Sequence, residues 1–260
     1  MSAPEIKFED GAAYDRMMGV WTQFVGSHFL KWLDPADGLR WLDVGCGTGA
    51  FTQQIIDSSM PACVDGIDPS RAQIEFAGNR GGASMARFRT GDAMALPYED
   101  DAFDIAVMAL VIFFVPQPGV SIAEMKRTVR PGGTVGTYVW DVHGGGMPPE
   151  PVFRILRALA IEHPLPPRSD VSGKEELLRL WQDAGLRDIE QQAFTVERRF
   201  DSFDSFWDIT TSSASLTKIF TDIKADLLQE IRQRLHADMP VADDGSITYT
   251  AHANAIKGVV

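Results

Sequence analysis

The run from Trp41 to Phe51 constrains the fold of this chain more than any other feature. An apolar stretch typical of a buried strand, Trp41 to Val44, leads into three alternating glycines and then into a helix-like segment. Glycine lets the backbone turn tightly and lets a ligand touch the main chain, because no Cβ stands in the way. Amide groups at the N-terminus of the following helix then face the loop. The run predicts a nucleotide-type cofactor site after the first strand of an α/β sheet.

The glycine spacing alone fits two cofactor classes. Read from Gly45, the pattern G-x-G-x-x-A satisfies the dinucleotide fingerprint of NAD(P)-dependent oxidoreductases. The run D-V-G-C-G-T-G, with its third glycine at Gly49, instead resembles motif I of the class I S-adenosylmethionine (SAM) methyltransferases. Downstream, G-D-A-x-x-L-P from Gly91 is followed by D-x-x-F-D ending at Asp104. That pattern resembles the methyltransferases, and an NAD enzyme has no need of its first acid.

Four motifs in family-like order carry the resemblance along most of the chain. They are the glycine run, G-I-D-P-S ending at Ser70, G-D-A starting at Gly91 and R-P-G-G-T ending at Thr134. Together they resemble the class I methyltransferases of the ubiquinone/menaquinone-biosynthesis-like type (Methyltransferase type 11). The resemblance implies a Rossmann-like, doubly wound α/β sheet of seven strands, mostly parallel, whose antiparallel last strand inserts beside the fifth. It does not determine the acceptor, the methylated atom or the oligomeric state.

The same resemblance assigns cofactor contacts residue by residue. The three glycines should pass beside the methionine and ribose parts of SAM, or of its product S-adenosylhomocysteine (SAH). Asp68 would bind the ribose hydroxyls and Asp92 the adenine amino group. Asp43 would orient the loop and, through nearby carbonyls or water, the SAM ammonium. The complete predicted set is Asp43, Gly45, Cys46, Gly47, Gly49, Asp68, Pro69, Asp92, Ala93 and Leu110.

Both downstream carboxylates have a structural alternative. Asp68 stands two residues before Ser70 and could cap the helix that starts there. Asp92 lies in a Gly-Asp-Ala sequence and could simply form a turn. Their order behind motif I favours the cofactor roles. Cys46 is expected only to fill space, since a reactive thiol needs an electropositive setting.

Residues near the carboxyl edge of the predicted sheet are candidates for the acceptor side. Asp141 and His143 follow the fifth strand, and either could act as a base if the acceptor must lose a proton. The alternative is a solvated turn before the three glycines that follow. Tyr14, Phe113 and Trp140 are the candidates for an apolar acceptor pocket.

The alternation of strand-like and helix-like segments breaks twice, which predicts two insertions in the core. The N-terminal helix and both insertions are expected to pack over the carboxyl edge as an apolar acceptor chamber. The predicted units are an N-terminal helical lid (1–36), a SAM-binding core (37–141), a cap insertion (142–170), the continued core (171–199), a second cap insertion (200–244) and the last core strand (245–260).

Composition limits the partners and the compartment. The net charge of -12, with no visible Lys/Arg cluster, disfavours nucleic acid as a partner. No apolar run approaches the ~20 residues of a membrane span, and the N-terminus does not resemble a signal peptide. Cys46 and Cys63 are the only cysteines, so neither a disulfide framework nor a metal site is expected. These features predict a cytoplasmic protein that acts on a small molecule.

The sequence therefore predicts a SAM-dependent methyltransferase that moves a methyl group to a small, partly apolar acceptor by in-line displacement. Such a transfer depends mainly on positioning and on exclusion of water. Two alternatives stay open. One is a methyltransferase-like regulatory protein that binds SAM without turnover, and the other is an NAD(P)-dependent oxidoreductase.

Overall fold

A seven-stranded sheet forms the centre of the molecule. The computed structural model describes residues 11–80 and 85–260, with the side chains of residues 11–17 and 214–215 outside the description. The strands are β1 (Arg40–Val44), β2 (Cys63–Asp68), β3 (Ala86–Thr90), β4 (Phe103–Ala109), β5 (Val129–Trp140), β6 (Arg187–Phe200) and β7 (Ile247–Val259).

The strands are arranged in the order β3-β2-β1-β4-β5-β7-β6. Neighbours among β1 to β5 run parallel, whereas β7 lies antiparallel between β5 and β6. This topology confirms the predicted fold class, including the insertion of the last strand beside the fifth. The chain order reverses between β1 and β4, and ligands of open α/β sheets bind at the carboxyl edge of such a reversal.

Helices cover both faces of the sheet. In the described part of the chain they are α1 (Gly11–Leu33), α2 (Ala50–Ser59), α3 (Arg71–Gly78), α4 (Pro118–Thr128), α5 (Glu150–Ala158), α6 (Lys174–Asp183), α7 (Phe203–Thr210), α8 (Ala214–Asp222) and α9 (Ala225–Asp238). On one face, Phe29 of α1 and Phe51 of α2 pack on Tyr138 of β5, with ring centroids 4.8 and 5.5 Å apart. On the other, Trp181 Nε1 of α6 donates to Val135 O at 3.2 Å. The buried aromatic rings join each helical layer to the sheet.

The two insertions lie beyond the carboxyl end of β5. Trp140, the last residue of β5, pairs with Ala253, and β7 extends past that pair to Ile247. His252 N then donates to Gly146 O at 2.9 Å, which ties the start of the first insertion to β7. α5 of the first insertion packs against α9 of the second. Both segments predicted as insertions therefore start at the carboxyl edge, and Phe200, the predicted first residue of the second, still belongs to β6.

Neither a membrane-spanning helix nor a metal-binding cluster is found among the described residues. Within residues 11–80 and 85–260, no helix is both long enough and apolar enough to cross a membrane. Those residues also contain no group of three His, Cys, Asp or Glu side chains that could hold a metal ion. Cys46 and Cys63 are both free thiols.

Asp104 ties three strands together at the amino edge of the sheet. Its carboxylate accepts hydrogen bonds from Arg40 N at 2.8 Å, Arg40 Nε at 3.0 Å and Arg130 Nε at 2.6 Å. Asp104 belongs to β4, whereas the two arginines belong to β1 and β5. The hydrogen bonds from Arg40 above all hold the pKa of Asp104 well below its usual range. Charge-assisted bonds of this kind are among the stronger ones in proteins.

We expect Asp104→Asn to lower the free energy of unfolding by about 2 kcal/mol, because two guanidinium groups lose their anionic partner. Urea denaturation at neutral pH measures the change. Since the folded pKa is depressed, this contribution is present above the unfolded pKa and is lost as the pH falls through the folded one. The gap between wild type and variant should therefore close toward acid. Asp183→Asn, at an exposed residue paired with Arg179 at 3.3 Å, is the control and should shift stability by less than about 1 kcal/mol.

Candidate functional site

The loop between β1 and α2 is built from three glycines in the left-handed region. Their φ angles are 77° at Gly45, 52° at Gly47 and 75° at Gly49. Gly45 N donates to Ile67 O at 2.7 Å, which holds the loop against the end of β2. A Cβ on Gly45 would lie 2.5 Å from Val111 Cγ1. The loop keeps this tight course only because a side chain is missing there.

Asp68, at the end of β2, fastens the loop to the neighbouring strand. Its Oδ2 accepts from Gly47 N at 3.0 Å and its Oδ1 from Ser70 N at 2.8 Å. The N-cap of α3 is Ser70, whose Oγ accepts from Gln73 N. Burial raises the pKa of Asp68, while the bonds from Ser70 and Gly47 oppose that rise. Each carboxylate oxygen retains a lone pair with which it can accept from a ligand.

Asp43 of β1 is a fully buried carboxyl group that faces the same loop. Its Oδ2 accepts from Thr52 Oγ1 of α2 at 2.6 Å. Its Oδ1 has no hydrogen-bond partner among the described residues. Burial raises the pKa of Asp43 to about 7, although the Thr52 hydrogen bond opposes the rise. A buried oxygen without a partner, at a cavity, is suited to a donor carried by a ligand.

These groups line one cavity at the carboxyl edge of the sheet. Its volume of about 270 Å³ lies near the lower end of the range for small-molecule sites. The lining combines two carboxylates and the glycine backbone with aliphatic and aromatic side chains. It consists of Thr22, Gln23, Asp43, Gly45, Cys46, Gly47, Thr48, Ala50, Phe51, Gln54, Asp68, Pro69, Ser70, Gln73, Ala109, Leu110, Val111, Phe114 and Tyr138.

Helix α1 closes one side of the cavity, where Gln23 meets Gln54 of α2. Gln54 Nε2 donates to Gln23 O at 2.9 Å. A Cβ on Gly26 would lie 2.2 Å from Gln54 Oε1, so α1 carries a glycine where this side chain approaches. Glycine inside a helix costs about 1 kcal/mol relative to alanine. The contact between the two helices offsets that cost and places α1 over the loop.

Most of the predicted cofactor residues line this cavity. Gly49 does not, and a Cβ there would lie 3.1 Å from both Ala77 and Phe88, so its absence of a side chain serves packing. Burial raises the pKa of the Cys46 thiol, which leaves it a neutral part of the wall. The predicted residues found in the lining are Asp43, Gly45, Cys46, Gly47, Asp68, Pro69 and Leu110.

Asp92 and Ala93 lie outside the lining. Asp92 is exposed, and its Oδ1 accepts from Met94 N at 2.8 Å in the turn-forming geometry considered as its alternative. Gly91 N donates to Asp68 O at 3.1 Å, so the turn stands beside the end of β2. Proximity to Asp68 is compatible with the adenine contact, which stays a prediction.

Asp141 and His143 are not brought to the cavity. Asp141 Oδ1 accepts from Gly144 N at 3.0 Å and closes the turn after β5. His143 is exposed on that turn. This arrangement corresponds to the solvated turn weighed against catalysis. A role for either residue as a base stays a prediction that the present geometry does not favour.

Two of the three predicted acceptor-pocket residues, Phe113 and Trp140, lie outside the lining of this cavity. Phe113 and Trp140 are both 2% exposed, and Phe114 and Tyr138 line the cavity in their place. Phe113 packs edge-on against Phe114 at 4.7 Å between centroids. Trp140 lies on the same face of β5 as Tyr138, two residues closer to the carboxyl end of the strand. The side chain of Tyr14 falls outside the described residues.

The sequence did not lead to two residues that line the cavity from different elements, Tyr138 of β5 and Gln54 of α2. Tyr138 stands two residues before Trp140, and that alternation was the signal that could have found it. Gln54 follows Phe51 by three positions, so it shares the buried face of α2. A glutamine on an apolar face is the signal that was overlooked there.

Comparison with known proteins agrees with this geometry. Residues 42–136 match the Methyltransferase domain family. A demethylmenaquinone methyltransferase of Staphylococcus aureus (strain JH9) is 31% identical over 187 residues, covering 64% of this chain and 75% of the relative.

Two solved structures share the fold. The YcgJ protein of Bacillus subtilis has a TM-score of 0.59 and 19% identity, over 91% of this chain and 98% of its own. Phosphoethanolamine N-methyltransferase 2 of Haemonchus contortus, solved in complex with SAM, has a TM-score of 0.56 and 17% identity, over 95% of this chain and 56% of its own. The match to the demethylmenaquinone methyltransferase accounts for the glycine spacing, so a dinucleotide-binding enzyme is not needed to explain it. The chain belongs to the class I methyltransferase family.

Proposed function

We propose that this protein is a SAM-dependent methyltransferase that transfers a methyl group to a small, partly apolar molecule. Family membership supports methyl transfer, and the curated relative is by its name an enzyme that methylates a small molecule. The observation that carries the proposal for the cofactor is the cavity beside the glycine loop. Its lining includes Asp68, the loop backbone and Asp43, whose buried Oδ1 has no hydrogen-bond partner among the described residues.

The residues of the cavity fit the polar parts of SAM. Asp68 has acceptor capacity left on both oxygens, which suits a pair of ribose hydroxyl groups. Asp43 offers one oxygen in a buried position, which suits the cationic amino group of the methionine part. The turn at Asp92, next to the end of β2, is the proposed neighbour of the adenine ring. SAM supplies an electrophilic methyl group on a sulfonium sulfur when it is bound.

The apolar part of the lining is the proposed place of transfer. Leu110, Val111, Phe114 and Tyr138 form a wall that keeps water away from the reacting atoms. Leu110 has a φ of 60°, an unusual angle for a residue with a branched side chain, and its N donates to Tyr138 O at 2.9 Å. This hydrogen bond holds the strained backbone at the wall. We infer that the chain contributes mainly orientation and desolvation to the reaction.

The charge of the cavity lining limits the kinds of acceptor molecule that the cavity can bind. None of the described lining residues is Lys, Arg or His. An acceptor that presents a carboxylate or phosphate to this cavity would find no cation within the lining itself, since Arg80 is outside the lining and contacts it at Thr48 Oγ1, 3.4 Å away. We therefore propose an acceptor whose reacting end is uncharged and apolar, with α1, which contributes Thr22 and Gln23 to the lining, as the element that admits it.

Calorimetry tests the cofactor directly. We expect SAM and SAH to bind with micromolar or tighter affinity and NAD to show no heat of binding. Incubation with methyl-labelled SAM and a fractionated small-molecule extract should then move the label into one extract component. Binding of NAD without SAM would overturn the proposal. Binding of SAM with no labelled product in any fraction would instead favour the regulatory alternative.

Gly45→Ala should weaken SAH binding about a hundredfold, because its Cβ would collide with Val111 and force the loop off its course. Gly38→Ala is the matched control. Gly38 also has a left-handed φ, 76°, but a Cβ there would meet nothing within 4 Å. Calorimetry should therefore show normal SAH binding in the control, with a stability loss of about 1 kcal/mol. Equal effects of the two variants on binding would contradict the collision.

A further inference from the structure

Thr52 and Asp43 form a fully buried pair behind the glycine loop. Both side chains are 0% exposed, and Thr52 Oγ1 lies 2.6 Å from Asp43 Oδ2. A hydroxyl group has a single hydrogen to donate, and here the carboxylate receives it. Asp43 Oδ1, which has no partner among the described residues, belongs to a side chain that lines the cavity. The pair thus has one oxygen bonded to a protein group and one without a hydrogen-bond partner among the described residues.

We propose that Thr52 is a positioning residue that holds Asp43 by Oδ2 so that Oδ1 binds the amino group of SAM, and that cofactor binding is thereby coupled to loss of a proton from Asp43. The inference rests on the proposed function, because it requires SAM or SAH as the ligand. Valine would fill the same volume as threonine at this buried position. The hydroxyl group is therefore what the position adds beyond packing.

The charge state of Asp43 follows from its surroundings. Burial raises its pKa to about 7, the hydrogen bond from Thr52 opposes that rise, and the nearby charge of Asp68 adds to it. Near neutral pH, the carboxyl group of the ligand-free protein is therefore divided between its neutral and ionised forms. A cationic amino group beside Oδ1 favours the ionised form, so binding removes the remaining proton. Without the hydroxyl donor, ionisation becomes harder and the coupling moves to higher pH.

Other titratable groups face the same space and need to be considered. The described lining also contains Cys46 of the glycine loop, Asp68 of β2 and Tyr138 of β5. Burial raises the pKa of the Cys46 thiol, which keeps it neutral between pH 5 and 8. Burial also raises the pKa of Asp68, but two backbone donors oppose that shift. Arg80 contacts the loop through Thr48 Oγ1 at 3.4 Å. Of these titratable groups, Thr52 hydrogen-bonds only to Asp43. A substitution at Thr52 therefore distinguishes an effect of Asp43 from effects of the others.

The test is calorimetry with SAH, which carries the same amino group as SAM and does not turn over, from pH 5.5 to 8. Two buffers of different ionisation enthalpy give the number of protons released. For the wild type we expect up to one proton released near pH 6, with affinity levelling off above about pH 7. Thr52→Val should bind about tenfold more weakly at pH 6, with the gap narrowing toward pH 8. Thr52→Ser retains the donor and should restore the wild-type profile.

Thr128→Val is the matched control, because Thr128 is equally buried and its Oγ1 donates to Met125 O at 3.0 Å within α4. It should leave the pH profile of binding unchanged. A pH-independent loss of affinity in Thr52→Val, or wild-type binding with no buffer-dependent heat, would overturn the inference. If circular dichroism shows that Thr52→Val does not fold, the wild-type proton count decides alone. Failure of the wild type to bind either SAM or SAH would overturn the proposed function itself.

Discussion

Asp68→Ala is expected to weaken SAH binding at least about a hundredfold. The substitution removes charge-assisted hydrogen bonds to the ligand, which contribute about 1.5–3 kcal/mol. It also removes the acceptor of Gly47 N, at 3.0 Å, and so releases the glycine loop from β2. The two losses act on the same cavity and should reinforce each other. Isothermal titration at pH 7.5 measures the affinity.

Asp92→Ala provides the comparison. Asp92 is exposed and closes a turn outside the lining of the cavity, so its removal should cost no more than about tenfold in affinity. Thermal unfolding of both ligand-free variants shows whether the fold survives. If the affinity of Asp68→Ala for SAH were within threefold of the wild-type value, Asp68 would only hold the glycine loop in place and would not bind the cofactor.

Asp43→Asn is expected to change how the stability of the ligand-free protein depends on pH. The folded pKa of Asp43 is about 7, against about 3.9 in an unfolded chain. A raised folded pKa gives stability that is fully present below the unfolded pKa and is lost as the pH rises through the folded one. Wild-type protein should therefore lose stability between pH 4 and 7, up to about 4 kcal/mol at 1.36 kcal/mol per pKa unit. The variant has no such group to ionise.

Urea denaturation of both proteins at several pH values measures the difference. Ionisable groups that do not interact with Asp43, Asp104 among them, contribute equally to the two proteins and cancel in the comparison. The variant should gain on the wild type steadily from pH 4 to 7 and then run parallel to it. A constant difference across this range would mean that Asp43 does not carry a raised pKa.

The fold could be predicted because its signals are local. Apolar strands that end in glycine or aspartate, and helices between them, follow from residue periodicity within short windows. The position of β7 between β5 and β6 followed from resemblance alone, since it depends on pairing across more than a hundred residues. The predicted start of the second insertion at residue 200 overlaps the last residue of β6 for a local reason. An aromatic residue at the end of a strand looks the same as one that opens a helix.

The site could be predicted only where one short segment supplies it. The glycine loop, Asp43 and Asp68 lie at strand ends, where the α/β topology places ligand groups. Gln23 and Gln54 come from helices that meet only in the folded protein, where the missing side chain of Gly26 leaves room for Gln54. Phe114 lines the cavity and its neighbour Phe113 does not, because the short 3-10 turn at Ile112–Phe114 determines which ring faces the cavity.

The placement of β7 has a consequence for synthesis on the ribosome. Residues 129–140 form a long central strand whose outer edge pairs only with Ile247–Val259. More than a hundred residues must emerge before that partner exists, and until then the edge exposes unpaired backbone groups. Open edges of this kind recruit other strands and promote aggregation. A nascent or truncated chain that stops before residue 247 should therefore depend on chaperones, although its cofactor loop is already complete.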